Sequence, residues 1–588
     1  MALLVQKFGG TSVGSVERIQ EVARRIAFCK EKGNDLIVVV SAMGDTTDNL
    51  SKLAENLSNN PPQREMDMLL STGEQVSISL LAIALNEIGV PSVSMTGPQA
   101  GIITESSHGK ARILEIRTER LKNLLSQGQV TIVAGFQGTS LGIGGTPEIT
   151  TLGRGGSDTS AVALAAALKA EACEIYTDVS GVLTTDPRIV KDAQLMKTIS
   201  CDEMLELASL GAAVLHPRAV EIARNYGVTL KVRSSWNEES GTVLTSRERK
   251  EFGRGGLEHS SPVDGLELLE NQAVIGLSQI PDKPGIAADL FENLSEGSVN
   301  VDLIIQSTHQ GTSNDITFTV ATNELHNAEK QCKNIIKILG GEITTQEGMS
   351  KLSISGAGIM GRPAITSNLF DTLSKAGVNI RLIATSEVKV SCVIDTKLGK
   401  KALRAITEVF KLNEKQIRIN PEAKDNNAPE VRGVALDNGQ TQICCKNVPD
   451  KPGTASAICS TLADRNISFD TIVQSERKYK NGTKDISLTL KKNDKKEADR
   501  ALQNLLLKWP GSRLEEVSAI ARVSAVGAGM PHTVGTASKM FRALANNQIN
   551  IEMIATSEIR TTCIISEKDG NKALNKLHEH FNLNRVNN

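Results

Sequence analysis

Two short strings occur twice in this chain, and the distance between their copies constrains the fold more than any other feature. Pro281-Asp-Lys-Pro-Gly285 returns 168 positions later as Pro449-Asp-Lys-Pro-Gly453, and Ile383-Ala-Thr-Ser-Glu387 returns 171 positions later at Ile554–Glu558. A repeat of that period is a tandem duplication, and its two halves must reach the same fold. A fainter echo lies inside each half, where Asn300-Val-Asp-Leu-Ile304 resembles Asn379-Ile-Arg-Leu-Ile383 at an offset of 79. Four related units follow, each too long for a solenoid repeat and long enough for a small domain.

Each unit reads alike. A strand at Ala273–Ser278 precedes a Gly/Pro turn, an amphipathic helix at Ile286–Leu294, strands at Val299–Gln306 and Ile316–Val320, and a helix near Ala328–Leu339. Strand, helix, strand, strand, helix, strand is the ferredoxin-like order. The first 245 or so residues differ. Near-continuous apolar strands (Leu36–Val40, Val130–Ala134, Glu174–Thr177) alternate with helical patterns (Val16–Ala27, Thr159–Ala170), the signature of a mostly parallel sheet covered on both faces. The expected division is a doubly wound α/β domain at 1–245, a linker at 246–265, small domains at 266–345 and 346–412, a second linker at 413–438, and small domains at 439–517 and 518–588.

Composition narrows the function classes. With 66 basic and 67 acidic residues the net charge is −1, so no global field favours nucleic acid or an anionic membrane. Aromatics are only 3%, too few for base-stacking platforms. The nine cysteines form no CxxC pair, which points to reduced thiols and a cytoplasmic protein. Four apolar residues precede Lys7, too few for a signal-peptide core, and no uninterrupted apolar run approaches a membrane span.

Three glycine-rich turns carry the chemistry, each expected between a strand and a helix: Lys7-Phe-Gly9-Gly10-Thr-Ser12, Gly135-Phe-Gln-Gly138 and Gly153-Arg-Gly-Gly-Ser-Asp158. Glycine lets backbone amides approach a ligand, and helix N-termini present unpaired donors to anions, so phosphate is the natural occupant. No GxxxxGK[ST] is present. Lys7 and Arg154 supply the cations that phosphoryl transfer needs, because that chemistry is mostly positioning and charge neutralisation. Gly356-Ala-Gly-Ile-Met-Gly361 formally matches a dinucleotide fingerprint, but the duplicate copy has His532 at the third glycine, and Arg381 stands where a ribose-binding acid belongs. It reads as a turn of a small domain. His216 reads as a helix-end residue, and His578 with His580 as part of an exposed C-terminal tail. No GxSxG elbow and no metal-spaced histidine cluster occur, so no protein-held metal is expected.

Seven segments in order, KFGGTS from Lys7, VVSAMGDTTD from Val39, STGEQ from Ser71, GFQG from Gly135, GRGGSDTSA from Gly153, YTDVSGVLTTDPR from Tyr176 and GAAVLHPRA from Gly211, closely resemble the aspartate kinases of the amino acid kinase family. The later units resemble ACT domains, the amino-acid-sensing modules of those enzymes, through PDKPG, NVDLIIQS, DITFTV and VNIRLIATSE. Typical members carry one ACT pair, whereas this chain carries two.

The resemblance implies ATP-dependent phosphorylation of the L-aspartate β-carboxylate, the first step toward lysine, threonine, methionine and isoleucine. It implies ATP with Mg²⁺ held by the phosphates, and a homo-oligomer formed through ACT domains. Carried over by residue, Lys7, Gly9 and Gly10 would hold the migrating phosphoryl group, and Asp158 would organise Lys7. Glu74 would take the substrate ammonium and Arg154 a carboxylate, with Ser41, Thr47 and Ser157 completing the pocket. Thr177, Asp178, Asp186, Arg188 and Lys231 would surround the nucleotide. Feedback by lysine or threonine would use Asp282, Gly285, Ala287, Gln306, Asn379, Ser386 and Glu387 in the first half, and Asp450, Gly453, Gln474, Asn550, Ser557 and Glu558 in the second. Two alternatives remain at this point: a nucleotide-binding sensor without catalysis, disfavoured because Lys7, Arg154 and Asp158 are all present, and a family member acting on glutamate or a nucleotide, disfavoured by STGEQ and the ACT pairs.

Overall fold

The computed structural model describes residues 2–141, 145–210, 214–246, 257–258, 262–308, 313–359, 361–421, 428–474, 482–517 and 519–585. They form two compact units, the first made of Met1–Leu183, Leu195–Ala208 and Ala213–Ser260, the second of Thr184–Gln194, Ser209–Ala212 and Ser261–Asn588.

In the first unit, hydrophobic strands assemble an eight-stranded sheet in the order Thr198–Ser200, Thr242–Thr245, Leu230–Ser234, Ala172–Thr177, Leu3–Phe8, Asp35–Val40, Val130–Ala134, Ser92–Met95. Every pairing is parallel except that of Leu230–Ser234 with Thr242–Thr245. Alternation of side chains along the central strands feeds two helical layers. Phe8, Val38, Val40 and Ile132 pack against Ile19, Ile26, Ile78 and Leu81 from helices Val16–Glu31 and Gln63–Glu87. Helix Gly156–Leu168 buries nearly every residue, as an Ala-rich core helix must. A small second sheet joins Ile113–Ile116, Ile102–Thr104, Gln137–Leu141 and Pro147–Thr151. The glycine turn at 135–138 therefore leads into a strand, not a helix, with Phe136 at φ +68°. Helix Gln63–Glu87 is long and apolar enough to cross a membrane by length and composition, yet it packs Ile78, Leu81 and Leu85 into the core and buries Asp67 and Glu74.

The stretch read as a first linker is partly structural. Glu258 is 5% exposed, paired with Arg218 at 2.8 Å, and accepts from the Ile113 amide; residues 247–256 and 259–261 lie outside the described residues. The second presumed linker contributes strands Ile417–Ile419 and Gly433–Asp437, because an edge of each half needs one more strand.

The second unit shows how the four small domains are threaded. Strands Gly265–Pro281 and Glu342–Ser355 pair antiparallel from Gly265↔Ser355 to Ser278↔Glu342, with register breaks at Leu269/Gln272 and Gln272/Val274. Beyond the break they serve the first domain, and before it the second, so the first domain is inserted within the second. The other half repeats this: Gly433–Asp437 pairs with Ile520–Val526, and the third domain lies between them in sequence. Domains then associate across the halves. Strand Val301–Thr308 of the first pairs with Met553–Thr556 of the fourth, and Phe291 meets Phe541 at 5.4 Å between ring centroids. One core holds residues of the first and fourth domains and another those of the second and third. The sheet faces left bare by helices close on each other through Val274, Leu303, Ile305, Leu382, Val393, Val473 and Met553.

Candidate active and effector sites

Parallel pairing puts the ends of five strands on one edge of the first sheet: Phe8 opposite Val40 and Tyr176, Val40 opposite Ala134, and Thr177 opposite Ser234. The turns that follow collect there, where open α/β sheets bind ligands. Lys7 is one residue from that edge and shares the parity of Val5, so it faces helix Gly156–Leu168. Its Nζ meets Asp158 Oδ1 at 2.6 Å with both side chains about nine-tenths buried (11% and 12% exposed). Asp158 Oδ2 also accepts from the His216 amide.

Close backbone contact explains the glycines. A Cβ on Gly10 would lie 2.7 Å from the Ala42 carbonyl oxygen, and one on Gly155, at φ +71°, would lie 2.3 Å from the His216 ring. His216 caps helix Pro217–Tyr226 by accepting from the Arg218 amide, the helix-end role expected from LHPR. Its basicity is lowered by burial and then by Arg218.

Glu74 comes to the same edge from helix Gln63–Glu87. Its Oε1 accepts from the Ala42 amide at 3.2 Å, while Oε2 is buried without a partner. Burial pushes its carboxyl up to about 7, against the lowering effect of backbone donors that include Ala42. A buried acid with one orphaned oxygen is complementary to a cationic donor. Ser41 donates its amide to the Phe8 carbonyl, Thr47 lies in the first turn of helix Thr46–Leu57, and Ser157 in that of Gly156–Leu168. Arg154 is exposed on the loop before that helix, with no ion-pair partner among the described residues. Thr177 donates to Asp178, and Lys231 lies opposite Glu174, three residues back from the edge. Asp186 and Arg188 pair with each other at 2.7 Å within Thr184–Gln194, a segment of the second unit.

A supporting cluster escaped the sequence reading. Asp67, fully buried, accepts from His108 Nδ1 at 2.7 Å, the Gly109 amide at 3.0 Å and Thr151 Oγ1 at 2.5 Å. Arg218 donates to the carbonyls of Leu152 and Ala111. Together they fix both sides of the Gly153–Gly155 loop that carries Arg154. Sequence spacing held no signal for this, since the partners are 41 to 107 residues apart.

In the second unit the first PDKPG turn lines a cleft between the first and fourth domains, and the second PDKPG turn sits at the equivalent junction of the second and third domains, the second cleft. In the first, Gly285, Ala287, Gln306, Asn314, Phe541 and Asn550 are among the lining residues. Asp282 Oδ1 accepts from Asn314 at 2.9 Å and from Asn550 at 2.8 Å. Gln306 donates to the Ile551 carbonyl. In the second cleft Asp450 accepts from Asn379 at 3.3 Å, and Gln474 donates to the carbonyls of Ile380 and Arg381. Gly453, at φ +97°, starts helix Thr454–Ala463 as Gly285 starts its own. Grouping these residues by half is thus corrected: Asn550 joins Asp282, and Asn379 joins Asp450, because the domains pair across the halves.

Four further effector candidates lie on the turns after strands Leu382–Thr385 and Met553–Thr556. Ser386 and Ser557 close tight turns by donating their amides to Lys389 and Arg560 carbonyls. Glu387 lies 3.7 Å from Arg560. Burial alone would raise the Glu558 carboxyl, but Lys389 and Lys351 hold it down at about 2. None of the four lines the first cleft. His578 is also not in an exposed tail: it is 2% exposed and bonded to Thr184 Oγ1 at 2.9 Å. The GxGxxG turn is a domain turn, Gly356 being so close to residues 262–264 that a Cβ would sit 2.2 Å from the Pro262 carbonyl oxygen.

Similarity to known proteins extends over both units. Residues 2–234 match the amino acid kinase family, and residues 352–410, 447–506 and 523–581 match ACT domains. The aspartokinase of Bacillus sp. (strain MGA3) is 48% identical over 419 residues, 71% of this chain and 99% of that protein. That of Geobacillus stearothermophilus is 49% identical over 423 residues, 71% of this chain and all of that protein. A crystal structure of aspartate kinase from Synechocystis superposes with a TM-score of 0.88 at 50% identity, covering 99% of this chain and 98% of that one.

Proposed function

The chain belongs to the aspartate kinases of the amino acid kinase family, and from that membership we propose that it transfers the γ-phosphoryl group of ATP to the β-carboxylate of L-aspartate, under control of amino acids bound in the ACT clefts. The acceptor carboxylate has an ordinary pKa of about 3.9 and is ionised at neutral pH, so no general base is needed. That accounts for a site built without a catalytic histidine. The burden is to bring two anions together. Lys7 neutralises the migrating phosphoryl group, with Asp158 fixing the direction of its Nζ and the Gly9 and Gly10 amides beside it. Glu74 takes the substrate ammonium on its orphaned Oε2, and Arg154 clamps a carboxylate bidentately, with Ser41, Thr47 and Ser157 closing the pocket. Thr177, Asp178, Asp186, Arg188 and Lys231 serve the nucleotide. Mg²⁺, held by the phosphates, would add charge neutralisation there.

The observation that carries this reading is the buried Glu74 oxygen without a partner, tied through Ala42 to the glycine turn beside the Lys7–Asp158 pair. An acyl phosphate leaving this site would enter lysine, threonine, methionine and isoleucine synthesis. Trapping the acyl phosphate with hydroxylamine, using aspartate, glutamate or N-acetylglutamate as acceptor, tests the assignment. Turnover confined to aspartate is expected, and faster turnover of either other acid sinks it.

A further inference from the structure

The two clefts share the PDKPG turn, a glutamine and an asparagine, and of the matched positions that differ, two change the charge. Asn314 in the first corresponds to Lys484 in the second, and Glu552 corresponds to Arg381. In the first cleft the wall is rich in unspent acceptors. Asp282 holds two neutral amides and has no ion-pair partner among the described residues. Gln306 Oε1 and Asn314 Oδ1 are buried without partners, in side chains only 3% and 4% exposed. Glu552 is not among the lining residues, but it lies near enough to Asp282 that its carboxyl is raised by burial and then by that charge. Each of these amides already spends one N–H on Asp282 or Ile551, and the acceptors left over suit a ligand that brings N–H groups and, beside Asp282, a positive charge. An ammonium group has both.

The second cleft supplies that group itself. Lys484 Nζ lies 2.8 Å from Asp450 Oδ1 and 3.5 Å from the Ile380 carbonyl oxygen, with the two side chains 5% and 6% exposed. Its ammonium takes the place that a ligand's ammonium takes beside Asp282. A second ammonium there would meet a like charge in a site with little water to screen it.

We infer that the two clefts are not equivalent: the first binds an amino acid by its ammonium group at Asp282, whereas Lys484 closes the second to that mode of binding. This rests on the reading of the clefts as effector sites. The full chain should therefore bind L-lysine or L-threonine once, with Asp282→Asn abolishing and Asp450→Asn sparing that binding. Lys484→Asn, which copies the first cleft into the second, should raise the calorimetric stoichiometry from one to two per chain. Asn314→Lys, the reverse exchange, should weaken the original site at least tenfold. If Lys484→Asn does not fold, as judged by its melting transition, Lys484→Gln keeps the reach, removes the charge and should give the same gain. Two wild-type sites of similar affinity, a single site lost with Asp450→Asn, or a stoichiometry of one in the Lys484 variants would overturn the inference and leave the effector reading standing. No binding of either amino acid to wild type or variants would overturn both.

Discussion

Burial raises the Glu74 carboxyl to about 7, so under the proposal that it takes the substrate ammonium its protonation should govern substrate capture. The direction follows from the shift. A raised carboxyl contributes stability that is present below its ordinary value near 4.5 and is lost as pH rises through about 7; a bound ammonium reverses that loss. The Michaelis constant for aspartate should therefore climb as pH falls below 7, and aspartate should raise the melting temperature more at pH 8 than at pH 6. Glu74→Gln should flatten both dependences and raise the constant for aspartate far more than that for ATP. An equal effect on the two substrates would mark Glu74 as structural. Lys7→Ala should cost roughly 10²- to 10³-fold in kcat, the usual loss for one stabiliser of transferring charge. Its melting transition should stay close to wild type, since the lysine packs little apolar surface. Activity within a few-fold of wild type would place phosphoryl transfer elsewhere. Lys7 and Glu74 were legible in the sequence as members of KFGGTS and STGEQ. Asp67, His108 and Thr151 were not, because a carboxylate that gathers three donors from separate elements leaves no local pattern.

At the scale of elements, strand and helix patterns were readable wherever side chains alternate against a core. Strand Val130–Ala134 occurs at its expected bounds, and the helix expected from Ile286 runs to Glu296. Failures have particular causes. Gly135–Gly138 looked like a helix entry, but Phe136 at φ +68° turns the chain into a strand of the second sheet. Strands Gly265–Pro281 and Glu342–Ser355 are long enough to serve two domains, and their sequences give no sign of where one sheet ends. The loop before helix Gly156–Leu168 supplies the sharpest test at this scale. Gly155→Ala adds a Cβ to a left-handed residue against the His216 ring. The left-handed backbone costs about 1 kcal/mol for a residue with a Cβ, and the clash adds to it. We expect a melting temperature lower by several degrees and a loss of turnover larger than stability alone explains, as Arg154 shifts with its loop. A variant with wild-type stability would show that the loop relaxes freely.

For the whole molecule, the second half of the duplication completes sheets that the first half leaves open. Val301–Thr308 finds its outer partner in Met553–Thr556, and the helix bearing Phe291 is covered by the one bearing Phe541. Relatives matched over about 420 residues at nearly their full length have no room for a second half. A version of this chain ended after Asn420 should accordingly self-associate, through the exposed strand edge and apolar helix face. Light scattering should show a dimer or larger species at micromolar concentration, and a stable monomer would contradict the pairing. The sequence by itself determined the kinase-like sheet, the glycine turns, the duplication and the ferredoxin-like order, because periodicity, turn chemistry and repeated strings are local properties of a chain. Only the tertiary structure decided which domain pairs with which. Asn379 and Asn550 sit in near-identical strings, and nothing local distinguishes their partners. The choice is made by burial of two helix faces and two sheet edges at once, and that same pairing brings Lys484 to Asp450 while leaving Asp282 with amides alone.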